Sequence, residues 1–341
     1  MTCSSTSKSP RAARVLVAPD SFKGTVSASE VAAALSRGLR SHGVDADECP
    51  VGDGGEGTVE ALVGALGGEP RWALVSDPLG RPLHVGWALL EGRATAALES
   101  AQASGLSLLG PGERDAERAS SAGTGELILA AVAAGASRVL VAAGGTASTD
   151  GGAGALAAIE RGGGLGEVEL VVLCDVDTEF EHAARDYAPQ KGADEAAVAR
   201  LEQRLVELAG SWPRDPRGVS LTGAAGGLAG GLWACHGAQL RPGAEFVLDA
   251  LGFERRLRVA DAVVVGEGRL DRQSLAGKAP GVIAALATGH GVAVHAVVGA
   301  CALGDAERAR LGLSSVREAG TIAAIEAAGA DLADELLAGR F

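Results

Sequence analysis

The sequence predicts an α/β protein built on mainly parallel sheet, and three observations carry that reading. Short β-branched apolar runs alternate with Ala- and Leu-rich segments of helical period. Almost every apolar run ends in glycine or a carboxylate, and ligands of open α/β sheets bind at such strand ends. Glycine makes up 51 of 341 residues, roughly twice its usual share, without a three-residue period and clustered between the apolar runs.

In chain order, 15–17 reads as a strand. Ser27-Ala28-Ser29-Glu30 is a capping-box pattern that opens a helix to about residue 40, with Val31, Leu35 and Leu39 on one face. A second short helix covers 57–66. Extended stretches follow at 72–76, 84–89 and 95–98, with Asp77-Pro78-Leu79-Gly80 as turn chemistry. Then come a helix at about 125–134, a strand at 139–142, a helix at 152–159 and a strand at 170–173, with an irregular segment to 192. Helices are expected at 194–208, 227–235 and 244–251, a strand at 262–265, a helix at 280–287, a strand at 293–298 and a last helix at 321–337. Residues 211–218, with Pro213 and Pro216, read as an exposed loop.

Composition excludes several classes. With 30 basic against 43 acidic residues the net charge is −13, the reverse of a nucleic-acid footprint. The 4 Trp, 1 Tyr and 5 Phe offer no base-stacking platform. Any phosphate or carboxylate must therefore be held locally, by backbone amides and a few fixed cations. Five scattered cysteines (Cys3, Cys49, Cys174, Cys235 and Cys301) form no Cys-x-x-Cys and suggest reduced thiols in a cytoplasmic protein. Residues 1–13 lack an apolar h-region and read as a flexible extension. No long uncharged apolar run suggests a membrane span.

Four segments carry chemistry. Asp20-Ser21-Phe22-Lys23-Gly24 sets a carboxylate, a hydroxyl and an ammonium before a capped helix, suited to an anion with metal nearby or to an ordinary turn. Asp53-Gly54-Gly55-Glu56-Gly57-Thr58 places two acids where they can share magnesium, take a substrate proton, or complement a helix N-terminus. The run from Gly144 to Gly154 includes Gly145, Thr146, Ser148, Gly151 and Gly152. It has a phosphate-cradle composition but matches neither G-x-G-x-x-G nor G-x-x-x-x-G-K-[ST]. In 266–280, Glu267, Arg269 and Asp271 precede Gly277-Lys278, fit for substrate, metal or surface ion pairs. Gly223-Ala224-Ala225-Gly226-Gly227 reads as close backbone packing.

The chain has four lysines, Lys8, Lys23, Lys191 and Lys278, against 26 arginines. Three of the four sit beside glycine in loops, where a compact ammonium suits a tight phosphate pocket better than a guanidinium fork. The six histidines fit no metal or triad spacing, and Ser21 and Ser274 lack a G-x-S-x-G elbow.

Eight strings in this order resemble the type I glycerate kinase family: V-A-P-D-S-F-K-G-T (17–25), D-G-G-E-G-T (53–58), S-A-G-T-G-E-L-I (121–128), G-G-T-A-S-T-D-G-G-A-G (144–154), C-D-V (174–176), P-Q-K-G-A (189–193), G-A-A-G-G-L (223–228) and G-E-G-R-L-D-x-Q-S-x-x-G-K-A-P (266–280). The resemblance implies two α/β domains: a flavodoxin-like (Rossmann-like) one formed by both chain ends, expected at 14–75 plus 275–341, and an inserted one at 76–274, with the active site in the cleft. It implies ATP and Mg²⁺ as cofactors and D-glycerate as the small-molecule partner, with 2-phospho-D-glycerate as product. A homodimer is left open. No nucleic acid or membrane is expected. Formation of 3-phosphoglycerate, a kinase for another hydroxy acid, and a small-molecule-binding regulatory module stand as alternatives.

Within that scheme Asp20, Lys23, Asp175 and Lys191 are the catalytic candidates. Gly144, Gly145, Thr146, Ser148, Gly151, Gly152 and Lys278 would hold nucleotide phosphates. Ser21, Gly54, Gly55, Thr58 and Arg269 would bind substrate, and Asp53, Glu56, Glu267 and Asp271 would hold the metal. The chain departs from the family pattern in a short 158–168 segment and in Asp177-Thr178-Glu179-Phe180, where the family shows Thr-Asn-Pro-Leu.

Overall fold

A computed structural model describes residues 13–22, 24–92, 94–275 and 277–339. Lys23 and residues 1–12 of the expected N-terminal extension lie outside the described residues. The strands are β1 (Arg14–Pro19), β2 (Asp45–Glu48), β3 (Gly68–Ser76), β4 (Pro82–Leu90), β5 (Thr95–Glu99), β6 (Arg138–Ala142), β7 (Glu169–Cys174), β8 (Gln239–Pro242), β9 (Ala262–Leu270), β10 (Ala293–Cys301) and β11 (Leu313–Glu318). They divide between two compact units. The first comprises Met1–Pro50, Glu254–Leu270 and Ala284–Phe341, the second Val51–Phe253 and Asp271–Ile283.

The first unit carries a five-stranded sheet in the order β11-β10-β9-β1-β2, parallel throughout. Renumbered along this unit alone, that is the flavodoxin order 2-1-3-4-5. The helix Ala28–Ser41 forms where the capping box predicts it, with Ser27 and Glu30 each accepting from the other's backbone. Its buried stripe of Val31, Leu35 and Leu39 joins Val15 and Val17 of β1 and Ile325 and Leu332 of the helix Ile322–Gly339 in one core. Gly38 has no room for a side chain, because the Glu326 carbonyl lies against its Cα.

The second unit carries a six-stranded sheet in the order β3-β4-β5-β6-β7-β8. β3, β4 and β5 are antiparallel neighbours, and β5 to β8 run parallel. One face packs on the helices Ala122–Ala133, Ala153–Arg161 and Leu228–His236 through Leu127, Ile128, Ile159, Leu228 and Leu232. The other packs on Thr58–Leu66 and Gly243–Ala250 through Ala61, Leu62 and Val247.

The expected domain boundaries do not fall where these units meet in the chain. Residues 68–75, assigned by sequence to the terminal domain, belong to β3, which pairs along its whole length with β4. Conversely β9, assigned to the insertion, pairs with β1 at the centre of the first sheet. Strand ladders outweigh proximity in sequence here.

Candidate active site

In the first unit the chain runs from β1 to β2 on one side, and after the second unit it returns to β9 on the other side of β1. The strand order therefore reverses between β1 and β9, the point at which open α/β sheets bind ligands. Two of the four segments singled out from sequence start there, one after β1 and one within β9. Asp20 follows β1, is 4% exposed, and donates its backbone N–H to the Gly266 carbonyl on β9 at 2.8 Å. Its Oδ1 accepts the Ser21 N–H at 2.6 Å. The Ser21 Oγ is shielded from solvent and has no hydrogen-bond partner among the described residues. Glu267 is buried within β9 opposite Val298 of β10, and Arg269, two residues on, is exposed. Asp20, Ser21 and Glu267 thus share one end of one sheet.

The second unit builds its site from the loop 53–58, which lies across the carboxyl ends of its four parallel strands. From β5, the Glu99 carboxylate accepts the Gly57 N–H at 2.9 Å and the Val59 N–H at 3.0 Å. It thereby caps the helix Thr58–Leu66, whose own N-cap residue, Gly57, has no side chain to do so. From β6, Gly144 donates to the Gly54 carbonyl at 3.0 Å. From β7, the Leu173 carbonyl approaches so closely that a Cβ on Gly54 would stand 2.8 Å from it, and Gly54 is left-handed at φ 97°. After β8, Gly243 packs on the Asp53 carbonyl. Asp53 is 1% exposed and accepts the Gly55 N–H, and the Thr58 hydroxyl accepts from Gly54.

Asp175 follows β7, and its Oδ2 would be 2.9 Å from any Cβ on Gly144. The Glu56 stem lies beside Gly145, and its carboxylate accepts from Ser107. Beyond Gly145, the loop to Gly152 turns inward to Lys191, which is 3% exposed. The Lys191 Nζ donates to the Ser148 carbonyl at 2.6 Å and stands 3.5 Å from the Thr146 hydroxyl. Burial pushes this ammonium down to about 8, and the charges of Asp150 and Asp175 act in the opposite sense. The backbone of Gly226 closes the pocket, 3.0 Å being all that would separate a Cβ there from Nζ. The 223–227 segment is thus packed backbone. The Ser148 and Thr149 hydroxyls are fully buried without hydrogen-bond partners among the described residues.

Of the expected residues, the second unit brings together Asp53, Gly54, Gly55, Glu56, Thr58, Gly144, Gly145 and Asp175, and seats Lys191 against Thr146 and Ser148. Gly151 and Gly152 support the helix Ala153–Arg161. The Asp271 Oδ1 accepts the Gln273 N–H of its own turn and its backbone N–H donates to the Ser274 hydroxyl, and Lys278 is half-buried at the start of the following helix. Among the described residues, Asp53, Glu56, Glu267 and Asp271 do not form a group of three with ligand atoms within 4.8 Å. The one such group is Glu179, Glu181 and His182. An isolated metal cage is therefore not what these acids build. One or two carboxylates completed by phosphate oxygens is the usual arrangement for magnesium, and the donor set fits that.

Sequence reasoning passed over two buried acids. Glu99 ends an apolar strand as the other site acids do, so the rule that found them reaches it as well. Asp150 was quoted within the glycine run, but its partners are far away in the chain.

The chain is thus a flavodoxin-ordered unit interrupted by a second α/β unit. Among the described residues its strand ends carry acids, glycine amides and the buried Lys191, and the sequence holds no P-loop motif. The comparisons with known proteins agree. The profile described as "Glycerate kinase family" matches residues 15–164 and 160–336. The chain is 38% identical to the glycerate 2-kinase of Escherichia coli (strain K12) over 304 residues, 78% of this chain and 80% of that one. It is 38% identical to a glycerate kinase of Bacillus subtilis (strain 168) over 84% of this chain and 85% of its relative. A crystal structure of a protein assigned as glycerate kinase 2 from Salmonella typhimurium LT2 superposes with a TM-score of 0.79 at 32% identity, covering 96% and 99% of the two chains. The chain belongs to the glycerate kinase family. No helix among the described residues is long and apolar enough to cross a membrane.

Proposed function

We propose that this kinase transfers the γ-phosphoryl group of ATP to the carbon-2 hydroxyl of D-glycerate, giving 2-phospho-D-glycerate and ADP. The observation that carries the reading is the loop 53–58 lying over four strand ends. It sets Asp53, Glu56 and Asp175 beside the amides of Gly144 and Gly145, on the same loop that holds the buried Lys191. The choice of carbon 2 follows the E. coli relative's name.

Phosphoryl transfer asks for positioning and charge neutralisation more than for covalent chemistry by the protein. In this scheme the Gly145 amide and Lys191 would face the charge that develops on the transferred group, while Gly144, Gly151, Gly152 and Gly154 spend their N–H groups on holding the loop. Asp53 and Glu56 would hold Mg²⁺, which when bound offsets the charge of the nucleotide phosphates. Asp175 accepts the hydroxyl proton. Asp20 and Ser21, at the strand-order reversal of the first unit, bind and orient polar groups of a substrate.

The test incubates the protein with ATP, Mg²⁺ and D-glycerate, coupled through enolase and pyruvate kinase with no phosphoglycerate mutase present. Glycerate-dependent pyruvate is expected. ADP release without pyruvate would mean 3-phosphoglycerate, and no glycerate-dependent ADP would refute the substrate. Asp175→Asn should lose most of kcat; normal turnover by that variant would take Asp175 out of the scheme.

A further inference from the structure

Asp150 lies at the far end of the glycine run and is 2% exposed. Its Oδ2 accepts the Ser121 N–H at 2.9 Å, the Ser121 hydroxyl at 2.8 Å and the Gly154 N–H at 3.1 Å, and its Oδ1 accepts the Gly152 N–H at 3.0 Å. Two of these donors head the helix Ala153–Arg161, whose N-cap glycine cannot cap it. The other two belong to the residue that precedes the helix Ala122–Ala133. The Ser121 hydroxyl in turn accepts the Ala155 N–H at 3.0 Å. One carboxylate therefore fastens two helix starts together.

A buried carboxylate with four donors is more than a turn requires, and the loop it anchors has a specific task. Two residues before Asp150, the Ser148 carbonyl takes the Lys191 Nζ; four before, Thr146 offers its hydroxyl. On the other side, Gly151 donates to the Gly226 carbonyl, so the pocket wall is tied to the same loop. The charged groups acting on the ammonium are Asp150 and Asp175. Tyr187, from the neighbouring helix Ala183–Tyr187, lies within range of Asp175.

We propose that Asp150 is a positioning residue of the phosphoryl-transfer site, fixing the loop that seats Lys191 and supplying the negative charge that keeps Lys191 an ammonium ion. Asp150 touches neither substrate nor reacting atoms and acts through Lys191. The proposal rests on Lys191 working as a cation in the proposed reaction, so its test has one arm that does not need activity. With four lysines in the chain, a protein labelled at the lysine ε-carbon gives four signals, and Lys191→Arg identifies one by its loss.

The expectation is that the Lys191 signal titrates near 8 in the unaltered protein. In Asp150→Asn it moves to lower pH, because a counter-charge has gone while burial remains. Asp150→Glu, which keeps the charge but not the geometry, leaves the midpoint in place. Where glycerate is phosphorylated, the Asn variant loses on the order of 10–100-fold in kcat. Its alkaline limb shifts down with the NMR midpoint, and KM for ATP changes less than kcat. A merely structural role would lower activity and melting temperature without moving the midpoint, and that outcome overturns the proposal. So does an ordinary lysine midpoint in the unaltered protein. If Asp150→Asn does not fold, Ser121→Ala serves instead. It loosens the anchor but keeps the charge, so kcat should fall with the Lys191 midpoint unchanged; a shifted midpoint would refute the division of roles. Absence of kinase activity with a displaced midpoint would refute the glycerate reading and leave the Asp150–Lys191 coupling standing.

Discussion

Gly54→Ala should damage this protein out of proportion to the single methyl group it adds. Two costs arise at that position. At φ 97° the residue lies in left-handed space, which costs a non-glycine residue roughly 1–2 kcal/mol. The new Cβ would also stand 2.8 Å from the Leu173 carbonyl oxygen and 3.1 Å from its carbon, both backbone atoms of a central strand that cannot swing aside. Overpacking of this kind costs typically 1–3 kcal/mol. The sum is about 2–5 kcal/mol, or a fall in melting temperature of about 4–20 °C for a unit of this size. The loop can escape only by lifting from the strand ends, which carries Asp53 and Glu56 away from Asp175, so kcat should fall as well. The control is Gly64→Ala in the helix Thr58–Leu66. No atom lies within 4 Å of its added methyl, and alanine is favoured there by about 0.8–1 kcal/mol. Differential scanning calorimetry and the coupled kinase assay read both variants. A Gly54→Ala protein that melts and turns over like the unaltered one would refute the account of the loop as pressed onto the strand ends.

Other consequences are as direct. Lys191→Met should lose at least about 100-fold in kcat and also melt lower at pH 7, because it leaves the Ser148 carbonyl unpaired and the buried Asp150 without its counter-charge; near-unaltered turnover would take Lys191 out of the scheme. Burial raises the Glu99 carboxyl above its usual value against the pull of its hydrogen bonds from Val59, Gln102 and Gly57. Its folded form therefore holds a proton that the unfolded chain has lost, and stability falls as pH rises from about 4.5 through the raised value. Glu99→Gln should flatten that part of a melting-temperature-against-pH curve, and an unchanged slope would refute it. Lys278→Arg should lower activity while leaving the melting temperature in place; full turnover would remove Lys278 from the phosphate-binding set.

Much of this was legible in the chain. The capping box at Ser27 and Glu30, the buried strands β1, β6, β7 and β9, and the glycine and acid residues at their ends follow from apolar periodicity and turn chemistry alone. The strands β2, β8 and β11 were not seen, and all three lie at a sheet edge. An edge strand buries less, so sequences such as Asp-Ala-Asp-Glu and Gln-Leu-Arg-Pro carry no apolar run. The domain boundaries failed for a related reason: which sheet a strand joins is decided by ladder pairing between distant residues. Within the site, residues chosen by local motif came together where their strands are neighbours. Asp150 and Glu99 were missed because their work is done on residues 29 and 42 positions away.

The interrupted first unit has a consequence for how the chain is made. β1 is central in its sheet, yet the Arg14 N–H reaches Asp261, 247 residues further on, and β1 pairs directly with β9. At about 5–20 residues per second, a ribosome would need roughly 12–50 s after releasing β1 to release its partner. During that interval the second unit's parallel strands emerge one after another, while the apolar Leu16 and Val17 still wait for β9. The order of synthesis thus favours a folded insertion held by an unfinished host, and makes the first β-strand the part of the nascent chain most in need of protection.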